Sequence, residues 1–383
     1  MKYLFFANTD WYLFNFRLSL IKSVSQSGNE VLLVSPPGLY GERLSSLGYK
    51  WIPAPMQRSS INILSNIKML FWLRKLILRE NIQLLHSFTI KCVIISSITG
   101  ILLKKRKRPK LINAIAGMGY IFTSNDLSAI LLKPFIKIVF RYALNNQYSR
   151  LVLQNTDDFS FFVKSGIIGP SRIDLIMGSG VDCAKFTPND SKIEYTFSSN
   201  RPMRVLLPCR LLRDKGVIEF IEACKILKNK KLYIDFLIAG VPDIGNPASI
   251  LNSEIESWVE EEIITWLGHV EDMPSLYHSV HVVVLPSYRE GLPKGLIEAA
   301  ACGKGLVATD VPGCREVIDH RKNGLLVQVA DSIELASAIE EFYHDPASIK
   351  SMGQNAMQKA LEEFEENIII NKTRAVYKRL LST

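Results

Sequence analysis

The chain has 383 residues, 48% of them hydrophobic and 22% charged, with a formal net charge of +9 at pH 7. That length and balance suit two globular domains with sizeable cores and exclude a disordered, low-complexity or solenoid chain. The first apolar run, Tyr3 to Ala7, is too short for a secretory signal, and no run reaches the roughly 18 residues of a spanning helix, so a cytoplasmic protein is expected.

Along the chain, β-branched and leucine-rich runs alternate with helical patterns. Strands are predicted at Tyr3–Ala7, Glu30–Val34, Ile82–His86, Lys110–Ile115, Arg150–Leu153 and Arg172–Ile176, and helices at Leu13–Ser27, Ile61–Arg79, Leu127–Leu144 and Thr156–Ser165. A polar stretch from Phe186 to Pro202 follows the Gly178-Ser179-Gly180 turn and reads as a linker. Beyond it, strands are predicted at Arg204–Pro208, Ile234–Ala239, Ile263–Trp266, Val280–Leu285, Leu306–Ala308 and Leu325–Val327. Helices are predicted at Gly216–Leu227, Pro274–His278, Lys294–Cys302 and Ser332–Tyr343, with a last one near Asn367–Leu381. Such alternation implies parallel sheets covered by helices, hence two doubly wound α/β domains.

Charge divides along the same line. Residues 1–185 hold 24 Lys and Arg against 9 Asp and Glu, a net +15, whereas the remainder holds 22 against 28, a net −6. A basic half points to nucleic acid or an anionic membrane surface. No nucleic-acid-binding motif is present, and the basic residues are interleaved with aliphatic and aromatic ones. Two segments carry this pattern, Ile67–Arg79 with Phe71-Trp72 and Leu102–Lys110 with its run Lys104–Arg108. They read as interfacial elements; the alternative for the first is a core-packed helix with a solvated basic edge. The six cysteines lack paired spacing and read as reduced and buried. His278 and His281 are spaced for a metal, but no Cys or carboxylate set completes a site, and the structural reading is preferred.

Glu290 and Glu298 flank the segment Gly291-Leu292-Pro293-Lys294-Gly295, between a predicted strand end and a predicted helix. In an open α/β sheet this is where ligands bind. Backbone N–H groups and a helix N-terminus suit a phosphate, and carboxylates accept from sugar hydroxyls; a nucleotide sugar has both parts. Arg210 and Lys215 follow another predicted strand and offer a planar fork and a point charge. Their alternative, surface charge at a helix start, is weakened because cations are unfavourable there.

The segment Leu285–Glu298 resembles the Glu-x7-Glu signature of retaining glycosyltransferases of family 4, with the GT-B fold. Arg210–Gly216 resembles that family's Arg-x4-Lys diphosphate clamp, and Asp310–Glu316 with Asn323-Gly324-Leu325 its late strand-turn-helix. The resemblance implies an α/β architecture of two Rossmann-like domains facing a central cleft. The domains are an acceptor-binding, membrane-facing one at 1–185 and a nucleotide-sugar-binding one at 186–366, with a helix at 367–383 crossing back to the first. It implies catalysis by Arg210, Lys215 and Glu290, with no metal and no cofactor. Donor contacts fall to these three and to His269, Gly291, Leu292, Pro293, Lys294, Gly295 and Glu298. Glu298 is expected to hold the ribose, Glu290 the donor sugar, and Gly291 and Gly295 to let backbone approach the ligand.

In the first half, the resemblance and position give Asn15, Arg17, His86, Lys91, Gly117 and Tyr120 as acceptor-binding residues. Alternatives are helix capping for Asn15, surface charge for Arg17 and a buried structural role for His86. Ala116 stands where many members carry a cleft histidine, which leaves the identity of a general base open. Gly117-Met118-Gly119-Tyr120 resembles a subgroup acting on polyprenyl-diphosphate-linked sugars. The expectation is a UDP-sugar donor, a lipid-linked saccharide acceptor, an anionic membrane surface as partner, no nucleic acid, and a place on the inner face of the plasma membrane. The alternatives are a soluble glucosyltransferase making a storage polymer or small glycoside, a nucleotide-sugar epimerase, and a non-catalytic sugar-nucleotide-binding protein.

Overall fold

The computed structural model describes residues 1–56, 63–117, 127–188 and 194–382. They fall into two compact units, Met1–Ser179 with Asn367–Thr383, and Gly180–Glu366.

The first unit is built on a parallel sheet of β1 (Lys2–Phe6), β2 (Glu30–Ser35), β3 (Lys50–Pro53), β4 (Leu84–Phe88), β5 (Lys110–Ile115), β6 (Ser149–Leu153) and β7 (Ile173–Leu175), in the order β3-β2-β1-β4-β5-β6-β7. The order reverses between β1 and β4, where Phe5 is in register with His86. The helices are α1 (Asp10–Gln26), α2 (Leu39–Ser46), α3 (Ile63–Glu80), α4 (Ile90–Leu102), α5 (Leu127–Leu144) and α6 (Thr156–Lys164). The extended Thr9 starts α1, its hydroxyl accepting from the Tyr12 N–H at 3.1 Å. Leu13, Arg17, Leu20, Ile21 and Val24 recur at helical spacing and form its buried face.

The C-terminal helix Glu366–Leu381 completes this unit. Its Ile369, Ile370, Val376, Tyr377 and Leu380 share a core with Tyr3, Phe5, Leu33 and Leu84. On another cluster, Leu4, Phe6, Leu32 and Val34 pack with Met69, Leu73, Leu76 and Ile77 of α3 and Cys92 and Ile95 of α4. The basic segment of α3 is therefore core-packed along one face. Trp72 packs against that core, as the core-packed alternative has it, whereas Phe71 is 60% exposed, with Leu64, Ile67 and Leu78 also exposed. Among the described residues no helix is long and apolar enough to cross a membrane.

The second sheet contains β8 (Met203–Pro208), β9 (Ile234–Ala239), β10 (Thr265–Trp266), β11 (Val282–Leu285), β12 (Gly305–Thr309) and β13 (Leu325–Val327), all parallel, in the order β10-β9-β8-β11-β12-β13. Here the order reverses between β8 and β11. The helices are α7 (Val217–Asn229), α8 (Asn252–Glu260), α9 (Met273–His278), α10 (Lys294–Ala301), α11 (Cys314–Val317), α12 (Ser332–His344) and α13 (Pro346–Lys359). Valines and leucines of β8, β11 and β12 are buried on both faces, as a sheet covered by helices requires.

His281 is a structural clip at the opposite end of this sheet. Its Nδ1 accepts from the Arg204 N–H at 2.9 Å and its Nε2 lies 3.2 Å from the Glu194 carbonyl. Burial pushes its pKa down to about 4, so it is the neutral ring that makes both bonds. Among the described residues no group of three or more His, Cys, Asp or Glu is placed to hold a metal, and the cysteines are unpaired.

Candidate functional site

Three loops at the carboxyl edge of the second sheet are fastened to one another. The first, Cys209–Gly216, leaves β8; the second, Pro286–Pro293, leaves β11; the third, Asp310–Gly313, leaves β12. The Tyr288 N–H donates to the Asp214 carbonyl at 2.9 Å. Gly216 turns with φ +71°, and a Cβ there would stand 2.0 Å from the Pro286 carbonyl oxygen. Gly313, at φ +82°, lies over the Glu290-Gly291 backbone, where a Cβ would come within 2.6 Å of the Gly291 oxygen. Both positions need glycine for the left-handed turn and for the close approach. The reversal point of an open α/β sheet is its usual ligand crevice.

Lys215 and Glu290 are paired across these loops at 2.6 Å, with side chains 18% and 13% exposed. Burial disfavours the ammonium, but the Glu290 charge and hydrogen bond outweigh it, and the Lys215 pKa is raised. Lys215 is thus a fixed cation. Arg210 goes elsewhere: its Nη1 meets Asp243 Oδ2 at 2.9 Å, and it is about half exposed. Asp243 is held in turn, its N–H donating to Ser249 Oγ at 3.0 Å and its carboxylate accepting from Asn246 at 3.2 Å. The Arg210 and Lys215 of the spacing motif therefore have separate carboxylate partners.

Glu298 lies in the second turn of α10. Its carboxylate is 3.7 Å from Lys294 Nζ and 3.4 Å from the Tyr277 hydroxyl. Burial raises its pKa against the pull of Lys294. The fully buried Tyr277, on α9, also reaches the Gly295 carbonyl at 3.0 Å and so ties the start of α10 to α9. A Cβ on Gly295 would stand 3.2 Å from that hydroxyl, so this glycine is in contact with Tyr277. Sequence reading missed Tyr277 and Asp243. Tyr277 lies in a predicted helix with no motif to mark it, and Asp243 follows a different strand from Arg210, 33 positions away, with no spacing that ties the two together. His269 is exposed on the loop after β10. Leu292 is half-buried and Pro293, the N-cap of α10, is buried.

The first unit has its own polar cluster beside the β1–β4 reversal. Arg17 is 6% exposed; its Nη2 donates to the Tyr12 hydroxyl at 2.7 Å, and its guanidinium stacks on Phe88 at 4.6 Å. Its Nε is buried without a hydrogen-bond partner. His86 is 2% exposed, 2.6 Å from the Tyr377 hydroxyl through Nδ1 and 4.0 Å from the Phe88 ring, with Nε2 unpartnered. Burial and then the Arg17 charge hold its pKa well below the usual value. Burial replaces the surface-charge alternative for Arg17. Lys91 lies in the first turn of α4, its pKa lowered by burial. Thr89, just before α4, has φ +71° and ψ 150°, a region nearly confined to glycine; strain of this kind collects at functional sites. The Asn15 amide donates back to the Trp11 carbonyl at 3.0 Å within α1, so it is not a cap. Gly117 ends a described segment, and Tyr120, Met118 and Gly119 lie outside the described residues.

Comparison with known proteins bears on this geometry. A family model described as Glycosyl transferases group 1 matches residues 192–359, and one described as Glycosyl transferase 4-like matches residues 2–155. Over 377 residues the chain is 28% identical to the N,N'-diacetylbacillosaminyl-diphospho-undecaprenol alpha-1,3-N-acetylgalactosaminyltransferase of Campylobacter jejuni, covering 96% of each. It is 23% identical over 331 residues to the UDP-Gal:alpha-D-GlcNAc-diphosphoundecaprenol alpha-1,3-galactosyltransferase of Escherichia coli, covering 83% of this chain and 81% of that one. The structure of Anabaena HepE in complex with UDP superposes with a TM-score of 0.78 at 18% identity, covering 99% of this chain and 100% of that one. That likeness is one of fold, the two Rossmann-like units of the GT-B architecture.

Proposed function

The chain belongs to the glycosyl transferases group 1 family, with a glycosyl transferase 4-like first unit, and from that premise we propose its reaction. It moves a hexose or N-acetylhexosamine from a UDP-sugar to a saccharide carried on a polyprenyl diphosphate, with retention at the anomeric carbon, in surface glycan assembly. The observation that carries this reading is the half-buried Lys215–Glu290 pair at the reversal point of the second sheet. The two relatives named above, whose names both specify diphospho-undecaprenol-linked sugars and alpha-1,3 transfer, support the acceptor class and retention.

In this reading Lys215 and Arg210 meet the donor diphosphate and stabilise the charge that builds on it as the sugar leaves. Lys215 reaches phosphate while still held by Glu290, so its position is set before substrate arrives. Glu290 lies against the donor sugar, Glu298 accepts from the ribose, and the Gly291–Gly295 backbone with the start of α10 faces the sugar and phosphates. His269 borders the base. The acceptor hydroxyl attacks from the face of the departing phosphate, whose oxygen takes its proton, so Ala116 in place of a histidine is no obstacle. Asn15, Arg17, His86, Lys91, Gly117 and Tyr120 belong to the acceptor side.

The same proposal places the protein at the inner face of the plasma membrane. The support is the +15 charge of residues 1–185 together with exposed Leu64, Ile67, Phe71 and Leu78 on α3 beside Lys68, Arg74 and Lys75. The experiment is incubation of purified protein with UDP-, GDP- and ADP-sugars and a short-chain prenyl-diphosphate saccharide, with mass spectrometry and anomeric analysis of the product. A lipid-linked product of retained configuration from a UDP-sugar is expected. An inverted linkage, or transfer only to water-soluble glucans, overturns it.

A further inference from the structure

Arg17 is a buried cation whose charge is not matched. Its recorded partners are the Tyr12 hydroxyl and the faces of Tyr12 and Phe88, and no ion pair to it occurs among the described residues. Asp10, seven residues earlier on the same helix, is committed: its two oxygens accept from the N–H groups of Trp11, Tyr40 and Gly41 at 2.7–2.8 Å. A guanidinium taken out of water with one of its N–H groups unsatisfied is costly unless an anion completes it. Stacking on aromatic rings offsets only part of that cost.

His86 presents the second unsatisfied group, and its environment fixes which kind it is. The Tyr377 hydroxyl is buried and has one recorded hydrogen-bond neighbour, His86 Nδ1. With the phenol donating to Nδ1, the ring proton sits on Nε2 and one donor is left over. With the opposite tautomer, the phenol proton and the Nε2 lone pair would both be stranded. The first arrangement leaves fewer unsatisfied groups. The lowered pKa of His86 agrees with a neutral ring. Both His86 and Arg17 rest on Phe88, and both therefore lie beside the carboxyl end of β4, next to the strained Thr89 and the start of α4.

We propose that Arg17, His86 and Tyr377 form a binding site for a phosphate oxygen of a prenyl diphosphate, with Tyr377 as the positioning residue that keeps the His86 proton on Nε2. The oxygen accepts from His86 Nε2–H and from Arg17 and supplies the negative charge that the cluster lacks. This rests on the acceptor reading above but goes further, since it names the atoms and gives the C-terminal helix a part in recognition. A neutral histidine that donates, beside a permanent cation, binds an anion across the range in which the ring stays unprotonated.

The test is nitrogen-15 NMR of the full-length protein with labelled histidine, His86 being assigned by His86→Gln. The wild type is expected to show the Nε2–H tautomer. The Tyr377→Phe protein is expected to show mixed tautomers and an acceptor KM raised about tenfold, with donor KM little changed. Inorganic diphosphate should shift the His86 Nε2 signal in the wild type and not in Arg17→Met. A short-chain prenyl diphosphate should do so even with UDP saturating. An Nδ1–H tautomer in the wild type, which needs no variant to observe, overturns the proposal, as does a His86 signal unmoved by either diphosphate. A shift produced by UDP and not by the prenyl compound overturns the assignment to the acceptor. A prenyl-diphosphate shift in a protein that transfers no sugar to lipid supports this site and sinks the proposed reaction instead.

Discussion

Lys215 Nζ lies 2.6 Å from Glu290 Oε1, joining the loop after β8 to the loop after β11. These are the two strands between which the sheet order reverses. An ion pair in this position holds both loops before any ligand is present and leaves the ammonium free to share its remaining protons with an anion. Arg210, half exposed, is turned to Asp243 instead.

The two cations of the spacing motif should therefore differ. Lys215→Ala is expected to lower kcat/KM by ~2–4 kcal/mol of transition-state stabilisation, or roughly 30- to 1000-fold. Arg210→Ala should lower it less, toward the bottom of that range. Steady-state kinetics with donor varied, on variants that keep a cooperative melt, decide this. A folded double variant with near-normal kcat/KM would remove the donor-site assignment.

Glu298 and Glu290 should fail in different ways. Glu298→Gln is expected to raise donor KM, because ribose does not change in the reaction, and Glu290→Gln to lower kcat, because the sugar does. If both variants alter KM alone, the division between ribose and sugar contact is wrong.

Glu298 also makes a pH prediction. Its folded pKa lies above the ordinary carboxylate value because it is buried. A raised folded pKa means that the folded state holds the proton more tightly. The stabilisation this gives is full below the unfolded pKa and is lost as pH rises through the folded one. At pH 7 the buried charge is a burden, so Glu298→Gln should melt slightly higher than wild type. The gap should close as pH falls toward 4. Melting curves between pH 4 and 7 test this; a gap that widens on acidification contradicts the sign.

Tyr277→Phe removes a hydroxyl that reaches the Gly295 carbonyl and approaches Glu298. The variant should lose about 1–2 kcal/mol of stability and raise donor KM several-fold with little change in kcat. Urea denaturation alongside donor titration measures both, and a variant with wild-type donor KM would reduce Tyr277 to a packing residue.

Flotation with lipid vesicles examines the membrane proposal. Binding to anionic vesicles at low salt should exceed binding to neutral ones and fade as salt is added. Replacing Lys104, Lys105, Arg106, Lys107 and Arg108 with Gln should release the protein and spare UDP binding. Phe71→Ser should weaken binding, whereas Trp72→Phe, a change at the core contact, should not. Failure of the wild type to float with anionic vesicles would end the peripheral-membrane idea.

Much of this fold was legible because parallel strands buried on both faces are continuous apolar runs. Lys110–Ile115, Ile234–Ala239 and Leu325–Val327 match their predicted spans. No strand was predicted at Lys50–Pro53, a short edge strand that ends in proline and is mostly uncovered. Helices Leu39–Ser46, Ile90–Leu102, Asn252–Glu260 and Pro346–Lys359 were likewise not named. Ile90–Leu102 is apolar nearly all round, and such a run has no face for periodicity to reveal. Of the site, the residues of the spacing motifs were readable, and the long-range pairings they make were not. Asp243 is 33 positions from Arg210, Tyr277 is 21 from Glu298, and Tyr377 is 291 from His86. Pairings over such distances are made by topology, which spacing along the chain does not encode.

The C-terminal helix gives the first unit a peculiar place in time. Its sheet is complete once residue 175 has been made, yet Tyr377 and Leu380 of its core come more than 200 residues later. On the ribosome the first unit must wait, with Tyr3, Phe5 and Leu84 partly uncovered, while the whole second unit is synthesised and folds. A nonsense codon or proteolytic nick anywhere after Glu366 would then strike the earliest-made half of the molecule and leave the later half intact. Chaperone demand during synthesis, and sensitivity to C-terminal trimming, should both be traceable to that one returning segment.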